Sequence, residues 1–228
     1  MDNIVINNKA FPFYLVFIFL SLVVGLIYMF INIKRITNNK TVYLYLIMFI
    51  VTSLFFGKFF GYLSDINNSN LFTSGLSSYG GLFGIILSSI IFEYIYPLDK
   101  KLIKLSIIVL PLMYSIGKIG CFLAGCCYGI KYSGIFSVSY INSNVSYFPI
   151  QIVESIIFLI LFLILNKNKE KKHILYISIL VCSLSKFLLD FLRCEHNIFS
   201  ITNIFSILLI IISIILLTGE VLCKKEKK

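Results

Sequence analysis

Charged and polar side chains recur at helical spacing inside strongly apolar segments of this 228-residue chain. Lys186, Asp190 and Arg193 are spaced so that a helix would carry two cations and one carboxylate on one face. Gln151 and Glu154 share a helix face in the same way. A charged side chain at the centre of a membrane helix is unfavourable by roughly 2.5–3.5 kcal/mol and usually faces a partner or a wet cavity. The spacing therefore indicates either a functional site or a set of buried ion pairs.

Cations outnumber carboxylates among these intramembrane positions. The cations are Lys58, Lys118, Lys186 and Arg193, and the carboxylates are Glu154 and Asp190. Structural pairs would account for part of this set, with Lys186 bound to Asp190 and another lysine bound to Glu154. The remaining positive charge is suited to an anion. We therefore expect these residues to line a cavity that binds an anionic group.

The elements that must position these residues are membrane-spanning helices. The chain is 59% hydrophobic, and several apolar stretches approach the ~20 residues that a helix needs to cross a bilayer. We predict an all-α, polytopic bundle of seven transmembrane helices that forms a single integral membrane domain (1–228). Two segments lie outside the helices: a short outer loop insertion at 130–148 and a basic cytoplasmic tail at 222–228. The predicted helices span roughly 11–32, 42–63, 79–98, 103–128, 149–166, 173–193 and 201–221. The net charge of +10 would suggest nucleic acid in a soluble protein, but the basic residues lie between hydrophobic runs, so we expect no nucleic-acid partner.

The basic residues are concentrated in every second segment between the predicted helices, and this pattern predicts how the protein is oriented in the membrane. They follow the first, third, fifth and seventh predicted helices, as Lys34, Arg35, Lys40, Lys100, Lys101, Lys104, Lys167, Lys169, Lys171, Lys172, Lys224, Lys225, Lys227 and Lys228. Because cytoplasmic loops are enriched in Lys and Arg, the N-terminus is predicted outside and the C-terminus inside. This orientation places the polar motifs in the outer leaflet. The abundant anion there, in a bacterial-type membrane, is a phospholipid phosphate, so we expect the cavity to bind a lipid headgroup.

Paired glycines at the second and third predicted helices allow two interpretations. Gly57 and Gly61 form one GxxxG pair, and Gly80 and Gly84 form another, which favours close helix packing. Alternatively, the backbone N–H groups of Gly80 and Gly81 could hold a phosphate oxygen at the start of the third helix.

Three thiols, Cys121, Cys126 and Cys127, lie in the run GKIGCFLAGCCYG (117–129). Plain packing is the simplest interpretation, and a disulfide outside the membrane, a metal site or a nucleophilic cysteine are the alternatives. A metal site would need a fourth ligand, and His173 and His196 lie elsewhere in the chain. We therefore assign no metal site and no cofactor.

Five motifs occur in order along most of the chain. They are GKFFGY (57–62), SSYGGLFG (77–84), GKIGCFLAGCCYG (117–129), PIQIVE (149–154) and SKFLLDFLR (185–193). The last four resemble the Ser-Phe-His-Gly-Gly-Leu-Ile-Gly, Gly-Arg-(Ile/Leu)-Gly-Asn-Phe, Pro-Ser-Gln-Leu-Tyr-Glu and Ala-Arg-Phe-x-x-Glu-Phe-x-Arg stretches of the prolipoprotein diacylglyceryl transferase family. Together with the predicted topology, they identify the chain as resembling a divergent member of that family.

The resemblance implies a seven-helix transferase that moves a diacylglyceryl group from phosphatidylglycerol to the lipobox cysteine of a preprolipoprotein and releases glycerol phosphate. It implies catalytic roles for Tyr79, Lys118 and Lys186. It further implies substrate-binding roles for Lys58, Gly80, Gly81, Gln151, Glu154, Asp190, Arg193 and Asn203. The expected location is the bacterial inner (plasma) membrane, as a multi-pass protein whose partners are the membrane lipid and the lipobox peptide.

This chain departs from the family pattern at several of these positions. Tyr79 stands where the family has a histidine, and Lys118 and Lys186 stand where it has arginines. Cys121 replaces the asparagine of the family's glycine-rich stretch. A second hypothesis is therefore a catalytically altered protein of the same fold that binds or senses a lipid or thiol ligand without transfer. A transporter is disfavoured because the two halves show no repeat.

Overall fold

The computed structural model describes residues 4–6, 9–11, 13–64, 70, 76–97, 101–140, 145–194 and 201–225. Within these ranges the chain forms seven α-helices and two short antiparallel ladders. The elements are β1 (Ile4–Ile6), β2 (Lys9–Phe11), α1 (Phe13–Ile33), α2 (Asn39–Ser64), α3 (Ser78–Ile95), α4 (Lys101–Leu123), β3 (Val138–Ser139), β4 (Ser146–Tyr147), α5 (Ile150–Lys167), α6 (Ile174–Asp190) and α7 (Ile201–Lys225).

The predominantly helical class is confirmed, and each of the seven predicted helices has a counterpart in the same order. Four helices are long and apolar enough to cross a membrane by length and composition: Phe13–Ile33, Lys40–Leu63, Lys101–Leu123 and Ile150–Lys167. Two further apolar helices, Tyr79–Ile95 and Asn203–Gly219, are shorter. The sequence did not indicate the two ladders, which pair β1 with β2 and β3 with β4.

Three helices end earlier than their predicted boundaries of 98, 128 and 193, each for a local reason. α3 ends at Ile95, and the next residue, Tyr96, is extended (φ −123°, ψ 90°) directly before Pro97. α4 ends at Leu123, since Gly125 and then Cys127 both adopt φ near +59°, which a right-handed helix cannot contain. α6 ends at Asp190 because the following turn brings Arg193 into a β-bridge with Gly129.

The chain divides into two compact units, one formed by 24–110 and the other by 1–23 with 111–228. In the 24–110 unit, α2 and α3 approach so closely that a Cβ on Gly80 would lie 2.1 Å from the Phe56 carbonyl oxygen. A Cβ on Gly84 would lie 2.3 Å from the Thr52 carbonyl oxygen. These contacts support close packing as the reason for this glycine pair.

The other unit contains the second half of α4 together with α5, α6 and α7. Its buried apolar cluster joins Ile150 and Phe158 of α5 to Leu189 of α6. This packing holds the polar face of α5 against the end of α6. The predicted single domain stays a prediction, as does the basic tail, whose side chains lie outside the described residues.

Candidate active site

A buried carboxylate organises the polar residues of the 1–23 and 111–228 unit. Glu154 on α5 is fully buried, and its two oxygens contact cations from three parts of the chain. Lys118 Nζ lies 2.7 Å from Oε2, and Lys186 Nζ donates to Oε1 at 2.9 Å. Arg193 Nη2 contacts both oxygens, at 3.0 and 3.1 Å. The structure thus brings together four of the residues that the sequence singled out.

Asp190 supplies a second, weaker carboxylate contact. Its Oδ1 lies 3.5 Å from Lys186 Nζ and 3.2 Å from Arg193 Nε. The strongest partner of Lys186 is therefore Glu154 on another helix, rather than Asp190 on its own helix as the spacing suggested. Three cations against these two carboxylates leave a net positive charge in the cluster; Lys58, the fourth cation of the predicted set, belongs to the 24–110 unit.

Local structure explains how these side chains meet. Gln151, Glu154 and Ser155 all lie on the buried face of α5, as helical spacing predicts. Arg193 lies beyond the end of α6, where Ile130 N–H donates to the Leu192 carbonyl at 2.9 Å and fixes the turn. Gly129, in the bridge with Arg193, has no room for a side chain, since a Cβ would lie 2.3 Å from the Phe148 carbonyl oxygen.

Arg193 is a permanent cation at this position. Burial alone would lower the pKa of its guanidinium, but the charge of Glu154, with a further contribution from Asp190, raises the pKa above its usual value.

Tyr114 belongs to the cluster, although it is not among the residues predicted from the sequence. Its hydroxyl donates to Glu154 Oε1 at 3.1 Å. The ammonium groups of Lys118 and Lys186 lie 5.1 and 5.8 Å from the centre of its ring, within the range of cation–π attraction. The signal was present, because Tyr114 precedes Lys118 by one helical turn and so shares its face.

Gln151 ties the cluster to the segment after α4. Its fully buried amide donates through Nε2 to the Cys126 carbonyl at 2.7 Å and contacts the Tyr140 hydroxyl at 3.1 Å. Tyr140 comes from the 130–148 segment, and no helical periodicity could have placed it there. Burial raises the pKa of Tyr140, so its hydroxyl is a neutral hydrogen-bonding group.

Cys121, Cys126 and Cys127 are brought together by the turn that ends α4. Their three sulfur atoms all lie within 4.8 Å of one another, and each cysteine is a free thiol. Hydrogen bonds with the other two thiols, together with the nearby charges of Lys118 and Arg193, hold the pKa of Cys127 below its usual value. These two charges of the Glu154 cluster thus favour the thiolate form of Cys127.

Four predicted site residues belong to the 24–110 unit: Lys58, Tyr79, Gly80 and Gly81. Lys58 and Tyr79 are half-buried there. The amide of Gly80 donates to Ser77 Oγ at 3.4 Å, and that of Gly81 donates to the Ser77 carbonyl at 3.1 Å. Both amides thus take part in starting α3, and a phosphate-binding role for them stays a prediction. Asn203 is buried near the start of α7, and its role stays a prediction too.

The arrangement is chemically suited to holding an anion beside a carboxylate. An ammonium group has three N–H donors and a guanidinium has five. Within the described ranges, Lys118 makes one short ion pair, with Glu154, and Lys186 makes one short ion pair with Glu154 and a longer one with Asp190. Measured against these described partners, both ammonium groups have N–H donors left for phosphate oxygens.

Comparisons with known proteins agree with the motif analysis. A family model described as prolipoprotein diacylglyceryl transferase matches residues 4–218. A Clostridium perfringens protein named phosphatidylglycerol-prolipoprotein diacylglyceryl transferase 2 is 33% identical over 126 residues, covering 50% of this chain and 47% of that relative. A Clostridium tetani protein named phosphatidylglycerol-prolipoprotein diacylglyceryl transferase is 29% identical over 177 residues, covering 70% of this chain and 71% of that relative. The chain thus spans about half the length of the first relative and more of the second.

Proposed function

Because the chain belongs to the prolipoprotein diacylglyceryl transferase family, we propose that it transfers the diacylglyceryl group of phosphatidylglycerol to the cysteine thiol of a prolipoprotein. The observation that carries this proposal is the buried Glu154 cluster, in which Lys118, Lys186 and Arg193 meet at one carboxylate. Such a cluster can hold a lipid phosphate as it becomes a leaving group.

The chemistry requires positive charge at the departing phosphate and an acceptor for one proton. The acceptor sulfur forms a C–S bond to the glyceryl carbon while the C–O bond to the phosphate breaks. Glycerol phosphate leaves with the electron pair, and its developing charge is stabilised by preorganised donors. In this proposal Lys118 and Lys186 hold the phosphate, and Lys186 assists removal of the thiol proton.

The proposal includes a membrane arrangement that the sequence predicts. Seven helices cross the bacterial inner membrane with the N-terminus outside and the C-terminus in the cytoplasm. Support comes from the apolar helices and from the alternation of basic connections along the chain. The lipobox peptide would then approach from the outer face. Cysteine labelling of the 168–172 turn and the 130–137 segment from each side of the membrane tests this orientation.

The transfer is tested with purified protein, phosphatidylglycerol and a lipobox peptide, by the mass gain on the peptide cysteine. Lys118→Ala should lower the rate by about 10²–10³-fold, as expected for loss of a charge-stabilising donor. Lys118→Arg should retain activity because it keeps the charge. Lys167→Ala is the matched control, since Lys167 is an exposed lysine in the last turn of α5.

Two results would contradict the proposal. One is no mass gain on the cysteine while an established family enzyme works under the same conditions. The other is equal activity of the Lys118→Ala and Lys167→Ala proteins.

A second candidate is binding of a lipid or thiol ligand without transfer. The observation that favours it is the group of three free thiols, within 4.8 Å of one another, that stands where the family has its asparagine-containing stretch. Under this alternative, Lys118→Ala would weaken lipid binding and leave lipoprotein processing in the host unchanged.

A further inference from the structure

The three thiols after α4 have the geometry of a metal site. Cys121 is the buried last-turn residue of α4, Cys126 is half-buried, and Cys127 is exposed. Three sulfurs around one ion at the usual Zn–S distance of about 2.3 Å lie roughly 4 Å apart. Sulfurs that already lie within 4.8 Å of one another reach that arrangement through small side-chain rotations.

The backbone is held in the conformation that gathers the thiols. Gly125 and Cys127 both have φ near +59°, and for Cys127 this left-handed conformation is strained. The Cys126 N–H donates to the Cys121 carbonyl at 3.1 Å, and the Gln151 amide donates to the Cys126 carbonyl at 2.7 Å. The turn is therefore fixed from both sides, and the sulfurs are brought together without a disulfide.

We propose that Cys121, Cys126 and Cys127 bind a thiophilic metal ion such as Zn²⁺ through three thiolates, with a fourth position open to an external thiol. The sequence alone predicts no metal site, because it shows no fourth ligand beside the three thiols. In the part of the chain that the structure describes, no further His, Cys, Asp or Glu joins the three sulfurs. Three protein ligands plus an exchangeable position is the pattern of catalytic rather than structural zinc.

Charge and exposure favour an anionic metal–thiolate site here. Three thiolates around a divalent cation carry one net negative charge, and Lys118, one turn before Cys121 on α4, places a positive charge on the same helix face. Cys127 is exposed, so an external ligand can reach the ion from that side.

The external thiol would be the acceptor cysteine, and this part of the inference rests on the proposed function. A thiol loses its proton to water when it binds the metal, because the metal stabilises the thiolate. The bound sulfur then forms the C–S bond while the C–O bond to phosphate breaks and glycerol phosphate leaves with the electron pair.

Metal binding is tested first, without any substrate. The full chain, purified in detergent under reducing conditions, is titrated with Zn²⁺ and separately with Co²⁺, whose thiolate complexes absorb strongly in the near ultraviolet. We expect one equivalent bound with sulfur-to-cobalt absorption. Cys126→Ser should weaken binding by more than the roughly 10–100-fold typical of outer-shell changes. Cys194→Ser, at another free and exposed cysteine, is the matched control and should bind normally.

Either of two outcomes overturns the metal site. One is absence of sulfur-to-cobalt absorption in the folded protein. The other is protein isolated from the host membrane that contains no bound metal and in which mass spectrometry detects a disulfide among the three cysteines.

The open position is tested by adding a lipobox peptide and its Cys→Ser analogue to the Co²⁺ protein. The cysteine peptide alone should increase the sulfur-to-cobalt absorption. If the two peptides give the same absorption, thiol activation is overturned and the metal site is unaffected. Transfer that persists in metal-stripped protein also overturns thiol activation while supporting the proposed function. Conversely, thiol binding at the metal without any transfer contradicts the proposed function alone.

Discussion

Replacing Glu154 with glutamine should strongly destabilise the protein. The change removes the only carboxylate that contacts Lys118, Lys186 and Arg193 together among the described residues. The amide keeps the shape, but it leaves the buried Lys118 and the half-buried Lys186 and Arg193 with Asp190 as their one remaining carboxylate in the described cluster. Breaking a buried ion pair by removing one partner is destabilising by about 3–5 kcal/mol. For a chain of this size that corresponds to a fall in Tm of roughly 6–20 °C.

Thermal unfolding in detergent, followed by circular dichroism, measures this change. Glu170→Gln is the matched control, because Glu170 is an exposed carboxylate in the turn between α5 and α6 and should shift Tm little. Adding Lys186→Met to Glu154→Gln should recover part of the loss, since it removes one uncompensated charge. A Glu154→Gln protein within 1 °C of the control variant would refute the conclusion that the carboxylate holds the cluster together.

Two further substitutions test the backbone constraints. Gly80→Ala should lower the free energy of unfolding by about 1–3 kcal/mol, because the new Cβ would meet the Phe56 carbonyl at 2.1 Å. Gly117→Ala is the control and should be neutral or stabilising, because nothing lies within 4 Å of its Cβ. Equal Tm values for the two variants would contradict the close contact at Gly80. In metal-free protein, the Cys127→Gly variant should be about 1 kcal/mol more stable than the Cys127→Ala variant, because glycine accepts φ near +59° without strain. Chemical or thermal unfolding measures the difference, and the reverse order of stability would argue against backbone strain at Cys127.

Helical periodicity predicted much of the candidate site from the sequence. Gln151 and Glu154 share the buried face of α5, and Lys186 lies beside Asp190, because neighbours within one helix depend only on spacing. The same rule would have found Tyr114 one turn before Lys118. The actual partner of Lys186 was beyond this rule, since Glu154 comes from another helix and depends on how α5 and α6 pack.

The end of α4 shows a different limit. Its predicted extension to 128 was wrong because apolar residues continue past Leu123, while the backbone turns at Gly125 and Cys127. A positive φ at a cysteine is not a propensity that composition reveals. Both the proximity of the three thiols and the hydrogen bond from Gln151 to the Cys126 carbonyl depend on that turn, so the sequence could not predict them.

The Glu154 cluster also explains how two lysines can serve in the proposed phosphate site. A lysine ammonium is a point charge on a flexible stem, and fixing such a side chain is unfavourable by about 2 kcal/mol of rotamer entropy. Glu154 and the Tyr114 ring already hold the ammonium groups of Lys118 and Lys186 in place, so an incoming phosphate need not order them. Simple electrostatics would make Glu154→Gln bind an anion more tightly, since a negative charge is lost. If Glu154 instead preorganises the cations, the Glu154→Gln protein should bind phosphatidylglycerol more weakly than the unchanged protein, at temperatures where both are folded. Tighter binding by the Glu154→Gln protein would mean that net charge alone determines the affinity.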